Sequence, residues 1–112
     1  MKIQIKTING ILFLVLEENR LDCRLAIDFK DKVSELVAEG SRLIILDLSA
    51  VDFIDSSGIG CLVTSLKLLG PQGRIVIWGL KAPVESMFKL TRMDRVFKLC
   101  SSEEQALQAV LN

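Results

Sequence analysis

The first sixteen residues show two strand patterns on either side of a turn. Polar and apolar residues alternate from Lys2 to Thr7, which is typical of a half-buried strand. Ile11 to Leu16 is apolar without interruption, as in a strand that is covered on both faces. Asn9-Gly10 between them is the favoured pair for a two-residue turn with positive φ. The pattern therefore predicts an N-terminal β-hairpin whose second strand lies inside the sheet.

Helices and strands then alternate along the chain. A helix with one apolar side is predicted between Asp22, which is placed to cap its first turn, and Gly40. The apolar runs Leu43 to Leu48 and Arg74 to Trp78 predict two further buried strands, and Val96 to Leu99 predicts a short last one. This order predicts an α/β fold with a mostly parallel sheet and helices packed against it.

Three more helices are predicted around these strands. The first follows a serine-containing segment and stops at Gly70-Pro71. Its apolar positions at helical spacing are Ile59, Leu62, Val63, Leu66 and Leu69. Pro83 suits the first turn of a short helix. Ser102 with Gln105 resembles a capping box that opens a final helix. That helix is predicted to bury Ala106, Leu107 and Val110.

Composition limits the classes of function. At 112 residues the length fits one domain, and the 14 basic residues cancel the 14 acidic ones. No nucleic-acid partner is expected, because such binding rests on a basic surface. The three cysteines form no C-x-x-C pair, so neither a disulfide framework nor a zinc site is predicted and a reducing compartment fits best. The longest apolar run, residues 11 to 16, is far short of the ~20 that span a bilayer, so no membrane insertion and a cytoplasmic location are expected.

The segment V-D-F-I-D-S-S-G-I-G, Val51 to Gly60, combines aspartates, serines and glycines at the start of a helix. A serine nucleophile needs a base, most often histidine, and the chain has no histidine, so neither a catalytic residue nor an enzyme is predicted. Val63 occupies the third glycine position of G-x-G-x-x-G and no phosphate loop follows, so no cofactor is expected. Asp47, Asp52 and Asp55 are close in sequence, but turn and capping roles are favoured over a metal site.

Two interpretations of the serines stay open at this point. They cap the helix and do nothing else, or they belong to a surface that a partner covers. With Ile59 at the centre of the buried side, 100° per residue gives the helix a small, uncharged outer face. Its residues are Ser57, Cys61, Thr64 and Leu68. Such a face beside a helix end is typical of a protein interface, and partial burial within the domain explains it equally well.

The D-S-S-G-I-G string resembles the signature of STAS domains, the anti-sigma factor antagonists (anti-anti-sigma factors) of bacterial regulatory switches. The likeness extends along residues 1–112, which are expected to form a single STAS domain. It includes R-L-D at Arg20 to Asp22, L-I-I-L-D-L-S and P-Q-G-R-I-V-I in two strands, and V-E-S-M-F-K-L in a helix.

This resemblance implies a role in signal transduction and transcription regulation, in which the domain binds an anti-sigma factor serine kinase. The kinase phosphorylates a serine and ends the interaction, and a PP2C-type phosphatase restores it. The phosphorylated residue falls on Ser56, with Ser57 as the runner-up. The acidic loop residue falls on Asp22, and the aspartate before the serine on Asp55. Nucleotide belongs to the kinase and not to this chain.

The predicted partner-binding residues are Asp22, Asp55, Ser56, Ser57, Gly58, Cys61 and Thr64. One alternative is a constitutive STAS scaffold, or a subunit of a sensory or lipid-transport complex, for which Ser56 would be dispensable. Another is a small-molecule binder, which only the glycines suggest.

Overall fold

The computed structural model describes all 112 residues and contains seven strands, four α-helices and one 3-10 turn. The strands are β1 (Ile3–Ile8), β2 (Ile11–Leu16), β3 (Arg20–Leu21), β4 (Leu43–Asp47), β5 (Phe53–Ile54), β6 (Arg74–Trp78) and β7 (Lys98–Cys100). The helices are α1 (Cys23–Ala38), α2 (Ser56–Leu69), α3 (Ala82–Leu90) and α4 (Glu103–Leu111), and the 3-10 turn is Met93–Arg95.

Five strands form the main sheet in the order β1-β2-β4-β6-β7. Only the β1–β2 pair is antiparallel, so the predicted mostly parallel sheet is confirmed. The hairpin is also confirmed, because Asn9 and Gly10 both have positive φ, 52° and 79°. The last strand begins two residues later than the predicted Val96, since the 3-10 turn takes up the preceding chain.

The two faces of this sheet are covered to different extents. Alternate strand residues, such as Ile44 and Leu46, point into a large core beneath α1, α2 and α3. The residues between them, such as Ile45, point into a smaller cluster with Ala106 and Val110 of α4. The prediction that Leu107 is buried is wrong: it is 37% exposed, because α4 lies over β4, β6 and β7 and leaves β2 uncovered beside it.

A second, two-stranded sheet was not predicted. Arg20–Leu21 (β3) pairs in parallel with Phe53–Ile54 (β5), and each strand leads directly into a helix. Strands of two residues are too short to give a periodic pattern. Their pairing sets the first turns of α1 and α2 side by side and so positions the site.

The helix ends follow the predicted capping chemistry. Asp22 caps α1, and Gly40 follows that helix with a φ of 102°. Ser102 caps α4 by accepting the Gln105 N–H at 3.1 Å. The Gln105 side chain accepts from the N–H of Ser101, so the box closes one residue earlier than its usual form. None of the four helices has the length and apolar character needed to cross a membrane.

Candidate partner-binding site at the paired helix starts

The candidate site is built on two helix starts that share one short sheet. Leu21 of β3 is in register with Ile54 of β5, and the next residue of each strand is an aspartate N-cap. The Asp55 N–H donates to the Leu21 carbonyl oxygen at 3.4 Å, which ties the two starts together. Residues that are distant in sequence, Asp22 and Asp55, are thereby brought to one edge of the molecule.

Asp55 alone caps α2. Its Oδ1 accepts the Gly58 N–H at 2.9 Å, and the backbone of Asp55 is extended, as an N-cap requires. Ser56 and Ser57, the first two helical residues, are both exposed, and neither hydroxyl makes a hydrogen bond within the chain. The cap therefore does not need either serine, and both hydroxyls face solvent free of partners.

Gly58 lies directly beneath the serines and is buried. A Cβ at this position would overlap the Leu21 carbonyl oxygen and stand 2.7 Å from Cγ1 of Ile54. Only glycine lets α2 start this close to β3. Gly58 therefore supports the site from below and offers no surface of its own to a partner.

Asp22 caps α1 and is almost fully covered, at 7% exposed. Its Oδ1 accepts the Arg24 N–H at 3.1 Å, and its Oδ2 lies 3.4 Å from Nε of Arg20 and 3.5 Å from Nε of Arg24. Burial alone would raise the pKa of the Asp22 carboxyl. The hydrogen bonds from Arg24 and Arg20, with the charge of Arg24, outweigh burial and lower that pKa below 3.8.

Exposed residues that the sequence analysis did not single out complete this edge. The guanidinium of Arg20 stacks over the ring of Phe53, with 4.3 Å between its Cζ and the ring centroid, and Phe53 is 40% exposed. Lys81, which precedes α3, pairs with Asp52 at 2.7 Å. Phe53 is an aromatic residue between Asp52 and Asp55, and this was the available signal in the sequence.

The predicted outer face of α2 needs a correction at Cys61. Cys61 was expected on the outside but is buried, and its Sγ donates to the Gly58 carbonyl oxygen at 3.1 Å. Burial, with a smaller contribution from the charge of Asp55, raises the pKa of this thiol to about 12. The error arises because α2 packs against α1 as well as the sheet, so its buried arc is wider than a wheel centred on one direction allows.

The exposed stripe of α2 consequently has a different membership. Thr64 is half-buried, Ser57 and Leu68 are exposed as predicted, and Gly60 is exposed with open space around it. Ser65, one turn from Cys61, is fully buried and donates to the Cys61 carbonyl oxygen at 2.7 Å. What remains is a small, flat surface that begins at the two free serines.

Comparison with known proteins agrees with this architecture. The family model of the STAS domain matches residues 2–106. BtrV of Bordetella bronchiseptica, which carries the name of an anti-sigma factor antagonist, is 28% identical over 110 residues, or 97% of this chain and 94% of BtrV. The anti-sigma-F factor antagonist RsfB of Mycobacterium tuberculosis is 26% identical over 102 residues, or 91% of this chain and 83% of RsfB.

A solved structure gives the same result for the fold. TM1081 of Thermotoga maritima, a protein assigned as an anti-sigma factor antagonist, superposes with a TM-score of 0.86 at 27% identity. The superposition covers 98% of this chain and 95% of TM1081. The family match spans nearly the whole chain and the fold agrees with it, and the chain therefore belongs to the STAS domain family.

Proposed function

We propose that this chain is a phospho-regulated binding module that antagonises an anti-sigma factor. Its unphosphorylated form binds an anti-sigma factor serine kinase through the paired helix starts, and phosphorylation of Ser56 by that kinase ends the interaction. A PP2C-type phosphatase restores binding. The chain itself performs no catalysis in this scheme. The relatives named as anti-sigma factor antagonists support the class of partner.

The observation that carries the proposal is the freedom of the Ser56 hydroxyl. Asp55 satisfies the capping requirement of α2, so Ser56 is exposed at the first helical position without a structural task. An exposed hydroxyl at a helix start can enter the active site of a kinase without local unfolding. Ser57 is equally exposed, but it lies one residue inside the helix. Ser56 is the proposed phosphorylation site for this reason and from the family resemblance.

The physical effect of the phosphate explains how it would act as a switch. It adds roughly 1.5 to 2 negative charges, and the free N–H groups and dipole of a helix N-terminus tolerate such a group. The fold should therefore be unaffected. Asp55, which forms no ion pair, already places one negative charge next to Ser56. A partner shaped to a neutral hydroxyl would have to bury an unpaired charge, which lowers affinity by about a hundredfold or more.

The experiment compares wild-type chain, Ser56→Ala and Ser56→Asp as bait in extracts of the native cell. Captured proteins and the serine segment are identified by mass spectrometry. Wild type and Ser56→Ala should retain a serine kinase, and Ser56→Asp should lose it while its thermal melt is unchanged. Ser57→Ala is the matched control, and it should capture the kinase and still be phosphorylated at Ser56. Equal capture by all variants would instead indicate a constitutive scaffold or complex subunit.

A further inference from the structure

The sheet face opposite the serines is only half covered. Helices α1, α2 and α3 pack on one face, while α4 alone occupies the other, above β4, β6 and β7. Beside α4, over β1 and β2, lies a groove with a volume of about 940 Å³. Its floor is formed by Ile11, Phe13 and Val15 of β2, and Leu107 and Leu111 of α4 form one wall.

Exposed apolar side chains gather at this groove. Ile8 is 45% exposed, Leu107 37% and Leu111 63%, and all three line it. Helices α1, α2 and α3 each expose one large apolar side chain, respectively Ile27, Leu68 and Leu90. Single exposed hydrophobic residues are ordinary, whereas a contiguous group in a concave surface indicates a binding site.

The two ends of the groove differ in polarity. Arg74 opens β6, and its Nη1 donates to the carbonyl oxygens of Ala109 and Val110, so α4 ends at the edge where the parallel strands begin. Glu103 and Glu104, at the other end of α4, stand where those strands finish. One end of the groove is thus apolar, around Leu111, and the other is acidic.

The charges at the groove have no partners in the chain. Glu103 and Glu104 line one side, Lys6 of β1 lines the other, and none of the three forms an ion pair with another residue. All three are exposed. They remain available to complementary charges on a bound partner. Because two carboxylates lie at the Glu103–Glu104 end, that end favours basic groups.

The dimensions of the groove fit one α-helix. The six residues of β2 extend about 20 Å, the length of roughly 13 helical residues. The width left over β1 and β2 matches the roughly 10 Å diameter of a helix. One more helix beside α4 would complete the layer on this face, as α1, α2 and α3 complete the other.

We propose that this groove binds an amphipathic α-helix of a partner protein, three to four turns long (about 11–14 residues), with its basic end at Glu103 and Glu104. A second copy of the chain does not supply such a helix. The outer side of α4 carries the polar Gln105 and Gln108, and the exposed faces of α1, α2 and α3 offer one large apolar residue each: Ile27, Leu68 and Leu90. The groove is separate from the serines, so it can be occupied whether or not Ser56 is modified.

The test uses designed helical peptides as probes, titrated into the full chain labelled with nitrogen-15. The first peptide has 14 residues, leucines at i, i+3, i+4 and i+7, and lysines at one end. A second has the same composition with the leucines spread around the helix, and a third has glutamate for lysine. We expect the first to shift resonances of β1, β2 and α4 and to bind about tenfold more tightly than the other two.

Variants of the chain locate the binding and its charge preference. Leu107→Gln with Leu111→Gln should abolish it, and because both side chains are exposed the fold is not at risk. Leu90→Gln, an exposed leucine on α3, is the matched control and should bind like wild type. Glu103→Lys with Glu104→Lys should reverse the preference, so that the acidic peptide binds more tightly than the basic one.

Several outcomes would overturn the proposal. These are the absence of shifts, equal binding of the two leucine arrangements, and shifts confined to the α1–α3 face. Analytical ultracentrifugation that finds a dimer, dispersed by Leu107→Gln with Leu111→Gln, would assign the groove to a second copy. Binding to vesicles of anionic and neutral phospholipid that the same variant abolishes would assign it to a membrane surface.

Discussion

The first turns of α1 and α2 are built alike and finished differently. Each follows a two-residue strand, and each is capped by an aspartate that accepts a backbone N–H. At α1 the carboxylate of Asp22 is covered and held by two arginines. At α2 Asp55 caps without an ion pair, and two serines and a glycine follow. The carboxylate at the start of α1 is covered by ion pairs, whereas the start of α2 exposes small side chains.

This difference distinguishes the capping bond, which the fold requires, from the free hydroxyls, which it does not. A helix start needs one capping oxygen, and both helices have it. At α1 the second carboxylate oxygen of Asp22 is occupied by the two arginines of the same chain. At α2 the hydroxyls of Ser56 and Ser57 have no hydrogen-bond partner in the chain, so they are available to another protein. Changes at the two starts should therefore affect different properties, stability in some cases and binding in others.

The largest expected effect on stability is at Gly58. Gly58→Ala should lower the free energy of unfolding by roughly 2–4 kcal/mol, because its Cβ would overlap the Leu21 carbonyl oxygen. Gly60→Ala, two residues along the same helix in open space, is the control. It should stabilise the chain by about 0.5–1 kcal/mol, since alanine is the better helix former. Urea unfolding measures both, and equal effects would contradict the close approach of α2 to β3.

The next effect concerns binding and leaves stability unchanged. Ser56→Asp should weaken binding to the partner that the wild type captures by about a hundredfold, while its urea midpoint stays at that of wild type. Calorimetric titration with the purified partner measures the affinity. A loss of affinity that accompanies a lower midpoint would show that the charge harms the fold and not the interface.

A smaller effect is expected at the α2 cap. Asp55→Ala removes the oxygen that accepts the Gly58 N–H and should cost about 1 kcal/mol of unfolding free energy. Asp55→Asn keeps an acceptor of the same shape and should recover most of that loss. If Asp55→Ala is neutral, one of the serines has taken over the cap, and the freedom of its hydroxyl is conditional on Asp55.

The smallest effect is the pH dependence contributed by the α1 cap. Because the pKa of Asp22 is lower in the folded chain than the ordinary value of an aspartate, its carboxylate stabilises the fold at neutral pH. The contribution is lost as the pH falls through the folded-state pKa. Wild type and Asp22→Asn should therefore differ most at neutral pH and converge in acid, as urea unfolding between pH 7 and pH 3 would measure.

The sequence predicted most of the fold because long elements leave periodic traces. The alternation in β1, the continuous apolar run of β2 and the Asn9-Gly10 turn each point to the same hairpin, and the structure has it. The Asp22 and Ser102 caps were likewise predictable, because capping chemistry is local. These features depend on neighbours a few residues away.

What the sequence did not reveal depends on contacts between distant residues. Two-residue strands carry no period, so the β3–β5 pair that joins the helix starts had no visible trace. The burial of Cys61 follows from the packing of α1 against α2, and a helical wheel contains one buried direction only. The exposure of Leu107 depends on which strands α4 covers, and this too is a property of the assembled sheet.

The β3–β5 pair has a consequence for when the site comes into existence. Its two strands are separated in the chain by the whole of α1 and β4, so an emerging polypeptide carries the α1 half of the surface well before the α2 half. Any partner that contacts both helix starts meets a finished surface only after β5 has docked beside β3. A chain that ended before β5 would therefore lack this surface, and a partner that needs both helix starts could not bind it.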